Sequence, residues 1–157
     1  MEYSYDGEKR ITLMYVLQLI ENHVDAENLY WSILFLYVIG YTYDPYSANN
    51  ISSVDEFEET IRTTKGGYKL NWKELKKLCG QFENIVDCVI VGSRSNEDID
   101  YIAERCKNDF DANIKMNYIG IDILDGSMEG FYSKDKALEE AVCNDIGPFP
   151  FGIHGNI

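Results

Sequence analysis

Apolar positions along this chain fall into two regimes. Up to about Leu78 they recur mostly at helical spacing, and from Ile85 they come in short, β-branched runs. Ile11, Leu13, Met14, Val16, Leu17, Leu19 and Ile20 predict a helix ending near Asn22, although their β-branched content leaves a strand open. Asp25 then has the chemistry of an N-cap, with Glu27 in the first turn. The spacing predicts a second helix from there to Val38 or Ile39, ended by Gly40. That helix would be apolar nearly all round and so central to the core. Tyr41 to Asn50 reads as a loop. Ser53-Val54-Asp55-Glu56 is a capping box, with Phe57 and Ile61 at helical spacing behind it and an end near Thr63. After the turn Lys65-Gly66-Gly67, Asn71 and Glu74 open another helix. It points Trp72, Leu75 and Leu78 inward and Lys73, Lys76 and Lys77 outward.

The second regime predicts a buried strand at Ile85–Val91, a turn at Ser93–Asn96 and a helix over Asn96–Phe110. A long strand is expected from Ile114 to Leu124, then a turn at Asp125-Gly126-Ser127 and a short return strand at Gly130–Tyr132. Ser133 would cap a last helix, Lys134 to Cys143. The tail Gly147-Pro148-Phe149-Pro150-Phe151-Gly152 has no regular pattern. The fold expected is a single domain over residues 1–157, α+β or α/β. It has a helical N-terminal half, then a β-α-β-(β)-α segment with a small sheet. If the two main strands lie in one sheet, their helical connection is expected to be a right-handed crossover.

Length and composition agree with one folded domain. The chain has 157 residues, 45% hydrophobic and 13% aromatic, which suits a real core and not a disordered acidic tail. The longest apolar run, Leu29 to Tyr41, covers about 13 residues, short of the roughly 20 that span a bilayer. The N-terminus is acidic and polar where a secretory signal is basic and then apolar. A cytoplasmic location is therefore expected. Cys79, Cys88, Cys106 and Cys143 show no CxxC spacing, and only His23 and His154 can join them as ligands. They read as reduced, buried thiols and not as a zinc site.

Charge changes the picture most. The 27 acids against 14 bases leave a formal net charge of -13. Residues 1–61 hold 11 acids and two bases, residues 62–107 hold seven acids and nine bases, and residues 108–157 hold nine acids and three bases. Two acidic blocks thus flank a Lys-rich middle. Such a surface repels nucleic-acid phosphates and anionic membranes, and attracts a basic partner.

Candidate chemistry is sparse. Val91-Gly92-Ser93-Arg94-Ser95 sits where a phosphate loop would, but it has one glycine, and Glu97, Asp98 and Asp100 oppose an anion. No nucleophile elbow is present. Asp122, Asp125 and Glu129, at a strand end and its turn, can be read as an Mg²⁺ or acid/base cluster or as solvated acids. Asp55, Glu56, Glu58 and Glu59 lie near the aromatic loop that holds Tyr43, Asp44 and Tyr46. Carboxylates beside aromatics can meet Lys and Arg by charge-assisted hydrogen bonds and cation–π contacts. The same run also suits an ordinary solvated helix face.

In type, this small, acidic, aromatic-rich chain without catalytic motifs resembles the immunity proteins of bacterial contact-dependent growth inhibition and polymorphic toxin systems. The resemblance covers the whole chain in size and composition and carries no residue across. It implies a protein that covers the active or substrate-binding surface of a cognate, basic, nuclease-type toxin. On that reading the partner-binding residues are Tyr43, Asp44, Tyr46, Asp55, Glu56, Glu58, Glu59, Asp122, Asp125 and Glu129. No catalytic residue, cofactor or metal ligand is assigned. Direct nucleic-acid or membrane binding is not expected, and the protein is a monomer or weak dimer. The alternatives are an acidic nucleic-acid mimic or adaptor, and a divalent-metal enzyme using Asp122 and Asp125.

Overall fold

Five antiparallel strands form the centre of the protein, with helices on both faces of the sheet. The computed structural model describes residues 2–3, 9–10, 13–46, 50–109 and 113–146, without the side chains of residues 2, 3, 9, 10, 97, 98 and 114. In chain order the elements are β1 (Glu2–Tyr3), β2 (Lys9–Arg10), α1 (Leu13–His23), β3 (Tyr30–Tyr41), α2 (Val54–Thr63), β4 (Tyr68–Leu70) and α3 (Trp72–Gln81). Then come β5 (Phe82–Ser93), α4 (Asn96–Asn108), β6 (Ile119–Leu124), β7 (Ser127–Ser133) and α5 (Lys136–Ile146). β1 and β2 pair with each other, and the main sheet runs β4-β3-β5-β6-β7. Every neighbouring pair is antiparallel, so the class is α+β.

The largest departure from the sequence reading is Tyr30–Tyr41. It is a twelve-residue strand, not a helix from Asp25. Only Ala26–Asn28 makes a helical turn, of 3-10 type, and the Asp25 side chain does not cap it. The segment is dense in aromatic and β-branched residues, which fit a pleated surface. Its first half is buried on both faces of the sheet, and that erases the alternation marking a half-exposed strand. Gly40 does not end a helix. It lies within β3 at φ 91°.

Two further boundaries move. β6 starts at Ile119, and Ile114–Met116 is a 3-10 turn. Asn117, fully buried, explains the break. Its Nδ2 donates to Cys106 Sγ at 3.1 Å and its Oδ1 accepts from Ser93 Oγ at 3.3 Å, which pins the chain to α4 and β5. The last helix is capped by Asp135, whose Oδ1 accepts from Leu138 N–H at 2.8 Å, two residues beyond the expected Ser133. Ser133 Oγ accepts instead from Asp135 N–H. β5 and β6 run antiparallel, with Gly92 opposite Ile119, so their connection leaves and returns at one end of the sheet and no crossover arises.

Two of the expected caps are present, at Ser53 and Asn71. Ser53 Oγ accepts from Glu56 N–H, and Asn71 and Glu74 form the reciprocal capping box. The Asp125-Gly126 turn takes φ of 52° and 77°, the left-handed pair that tight hairpins favour. The expected positions Ile11, Phe110, His154 and the 147–152 tail lie outside the described residues.

The inner face of the sheet carries the main core. Trp31, Ile33, Leu36, Cys88, Ile90, Ile121 and Phe131 meet α1, α2, α3 and α5. Trp31 and Trp72 pack at 4.9 Å between ring centroids, and a Cβ on Gly92 would come within 2.9 Å of the Trp31 ring. The outer face has one cover among the described helices. α4 sets Ile99, Ala103 and Cys106 on Leu34 and Val91.

Candidate functional site

The open part of that outer face is the most distinctive surface of the protein. Opposed residues of an antiparallel pair share a face, so the register fixes its composition. Phe35 lies opposite Val89, and Val89 opposite Asp122. In the next row Tyr37 lies opposite Asp87, and Ile39 lies opposite Asn84 beyond it. Leu124, two residues on from Asp122, shares its face. Phe35, Tyr37, Ile39 and Leu124 are 41%, 46%, 56% and 46% exposed. Large apolar groups left wet on adjoining strands are uncommon on a monomer and mark an interaction surface.

Asp87 is built into this face. Its Oδ1 accepts from Asp125 N–H at 2.9 Å, tying β5 to the β6–β7 turn. Gly126 N–H donates to Val86 O at 2.8 Å in the same place. Asp122 lies in the middle of the face, Asp125 in the turn at its end, and Glu129 at a bulge of β7, the outermost strand. The three acids expected to act together thus lie along one hairpin. Among the described residues no group of three or more His, Cys, Asp or Glu side chains has the geometry to hold a metal ion.

On the other side of the face, α2 runs along β3 where β4 stops. β4 pairs only with Trp31–Ile33. Beyond it, Glu58 Oε1 accepts from Val38 N–H at 2.9 Å. Glu58 is thereby part of the sheet's edge. Glu59 pairs with Arg62 one turn on. Asp55 and Glu56 are exposed in the first turn. Lys107 of α4 donates to the carbonyls of Ile61 (3.1 Å), Arg62 (3.2 Å) and Thr64 (2.6 Å), closing the C-terminal end of α2.

The aromatic loop follows β3 at this same end of the sheet. Tyr43 and Tyr46 are 67% and 87% exposed. Asp44 Oδ1 accepts from Tyr46 N–H at 2.9 Å. Gln81, buried under the loop, donates from Nε2 to Tyr41 Oη, Thr42 O and Asn50 Oδ1 at 2.9–3.0 Å, and Lys77 Nζ donates to Tyr46 O at 3.3 Å. The structure therefore sets the α2 acids and the hairpin acids on opposite sides of an apolar strip, with the tyrosine loop at its end. The sequence reading missed the strip itself, together with Asp87. Its trace in the sequence is the alternation Phe35, Tyr37, Ile39, hidden inside a run that is apolar throughout.

Elsewhere the chemistry is quiet. Burial raises the Cys79 thiol to about 12 and Cys88 well above its ordinary range, and it raises Cys106 despite the Asn117 hydrogen bond. These three are protonated thiols at neutral pH, poor as nucleophiles. Arg94 stacks over the Tyr118 ring at 4.3 Å, and His23 is exposed at the end of α1, hydrogen-bonded to Leu19 O. No helix among the described residues is long and apolar enough to cross a membrane. Comparison with protein-family models, curated proteins and solved structures finds no match to this chain.

Proposed function

We propose that this protein is an immunity protein of a bacterial toxin system, acting in the cytoplasm. It binds a cognate toxin with a basic surface and covers the site where that toxin meets its substrate. One observation carries the reading: an exposed apolar strip lies between two sets of carboxylates on a chain of net charge -13. Apolar side chains supply most of an interface's affinity, and the flanking charge speeds encounter and selects a cationic partner. Lys and Arg on a nuclease-type toxin, which would otherwise hold phosphates, are the complementary chemistry.

The test is whether the gene immediately upstream encodes a large secreted protein and whether co-expression with that protein's C-terminal domain neutralises it. The expected result is relief of growth arrest and a 1:1 complex on gel filtration. Persistent toxicity with no complex would overturn the reading.

A further inference from the structure

We infer that residues 147–157 of this same chain, which lie outside the described residues, pair as an edge strand with the open side of β5 at residues 82–85. The inference does not rest on the immunity reading. β5 is paired with β3 along its length, from Ser93 down to Phe82. On its other side β6 accompanies it only from Gly92 to Cys88. Asp87 and Val86 are met by the β6–β7 turn, through Asp125 N–H and Gly126 N–H. From Phe82 to Ile85 no strand stands on that side among the described residues. A run of unpaired strand backbone is a template for one more strand. A cleft of about 610 Å³ lies along this edge on the inner face, and all four residues of the edge line it. Its apolar wall is made by Leu13, Met14, Cys79, Phe82, Ile123 and Met128. Met14 is left 40% exposed.

The tail starts at the rim of that cleft. Asp145, near the end of α5, accepts from Tyr15 Oη, next to Met14, and Ile146 packs against the main core. Phe149 is three residues beyond Ile146, a reach of about 10 Å, and the whole tail can reach about 36 Å, against roughly 13 Å of open edge. Tethered there, it has an effective concentration on the order of millimolar, which any second copy must exceed. Its composition also fits. Residues 147–157 hold no acid and no base except His154. Pro148 and Pro150 exclude a helix and an inner strand, which is why the segment reads as irregular, but they suit an edge strand. Each proline also keeps the residue before it extended, here Gly147 and Phe149. In a strand, N–H direction and side-chain face alternate together, so Phe149, Phe151 and Ile153 share both. Their N–H groups turn to β5 and their side chains to the cleft. Pro148 and Pro150 then set their missing donors on the free side, which blunts the new edge against a further strand. Their rings join the outer face beside Asn84 and Ile39.

The experiment is nuclear magnetic resonance on the isotopically labelled full chain. Nuclear Overhauser contacts are expected from the Phe149 and Phe151 rings to the methyl groups of Met14 and Met128. In the double variant Phe149→Ser, Phe151→Ser those contacts vanish, and the slowest-exchanging amide among residues 82–85 should exchange about tenfold faster or more. Unchanged protection at Ile90 and Ile121 confirms that the variant is folded. A synthetic peptide of residues 147–157 should restore the protection at residues 82–85 in the double variant, and the same peptide with both Phe→Ser changes should not. The absence of contacts from both rings to either methionine in the parent chain would overturn the inference, and that measurement needs no variant. So would unchanged exchange at residues 82–85 in the folded double variant. Contacts found only between differently labelled copies in a mixed sample would also overturn it, by making a second copy the occupant. Each of those results leaves toxin neutralisation standing, and failed neutralisation leaves the tail strand standing.

Discussion

Glu58→Ala separates an acid that holds the fold from acids that face solvent. On its side away from β5, β3 is paired with β4 only as far as Ile33, and beyond it Glu58 Oε1 accepts from Val38 N–H, 2.9 Å away in a half-buried setting. A hydrogen bond to a charged acceptor contributes about 1.5–3 kcal/mol, and a buried donor left unpaired costs about 1–3 kcal/mol. Partial access of water lowers both, so the expected loss is about 1.5 kcal/mol, or roughly 3–6 °C in Tm for a chain of this length. Glu58→Gln keeps an acceptor and should lose about a third as much. Asp55→Ala, exposed on the same helix, should lose under half as much, since only a helix-end charge effect is removed. Urea unfolding of the four proteins gives these values, and hydrogen exchange should show faster exchange at Val38 in Glu58→Ala alone. If Glu58→Ala unfolds within about 0.3 kcal/mol of the parent chain, with Val38 exchange unchanged, the edge-sealing role is wrong.

Two further outcomes follow from the same geometry. Glu21 lies below its ordinary value of 4.5, first through its hydrogen bond from Lys76 and then from the Trp72 indole. A depressed carboxylate stabilises the fold above its unfolded value and loses that contribution as pH falls through its folded one, so the stability gap between the parent chain and Glu21→Gln should be full at pH 6–7 and close toward pH 3 in urea titrations. Of the four cysteines, only half-exposed Cys143 should react quickly with a thiol reagent at pH 8, and the other three should react only on unfolding. Fast reaction of Cys79 or Cys88 would contradict their burial.

Legibility in the sequence followed locality. Ser53 with Glu56 and Asn71 with Glu74 mark helix starts because a cap is made by residues three apart, whatever the rest of the chain does. Asp125-Gly126 marks its hairpin for the same reason. Tyr30–Tyr41 reads as a helix because the first half of the strand, covered on both faces, has no period, and because Asp25 and Gly40 stand where a helix would want them. Trp31, Phe35, Tyr37 and Val38 carried the correct signal in residue type. The acids of the candidate site were visible, but their division of labour was not. Nothing near Glu58 in sequence says that it reaches Val38, and nothing near Asp87 says that it meets Asp125, because both contacts depend on long-range register.

The claim that the charge layout recognises a basic partner is tested most directly by stopped-flow association with the toxin domain that the chain neutralises in co-expression, across a salt series. The association rate is expected to fall about tenfold or more between 0.05 and 0.5 M NaCl, with a much smaller change in dissociation. Asp87→Asn and Asp122→Asn should flatten that dependence. A parent-chain association rate that does not respond to salt, or variants whose salt dependence stays as steep as the parent's, would contradict it.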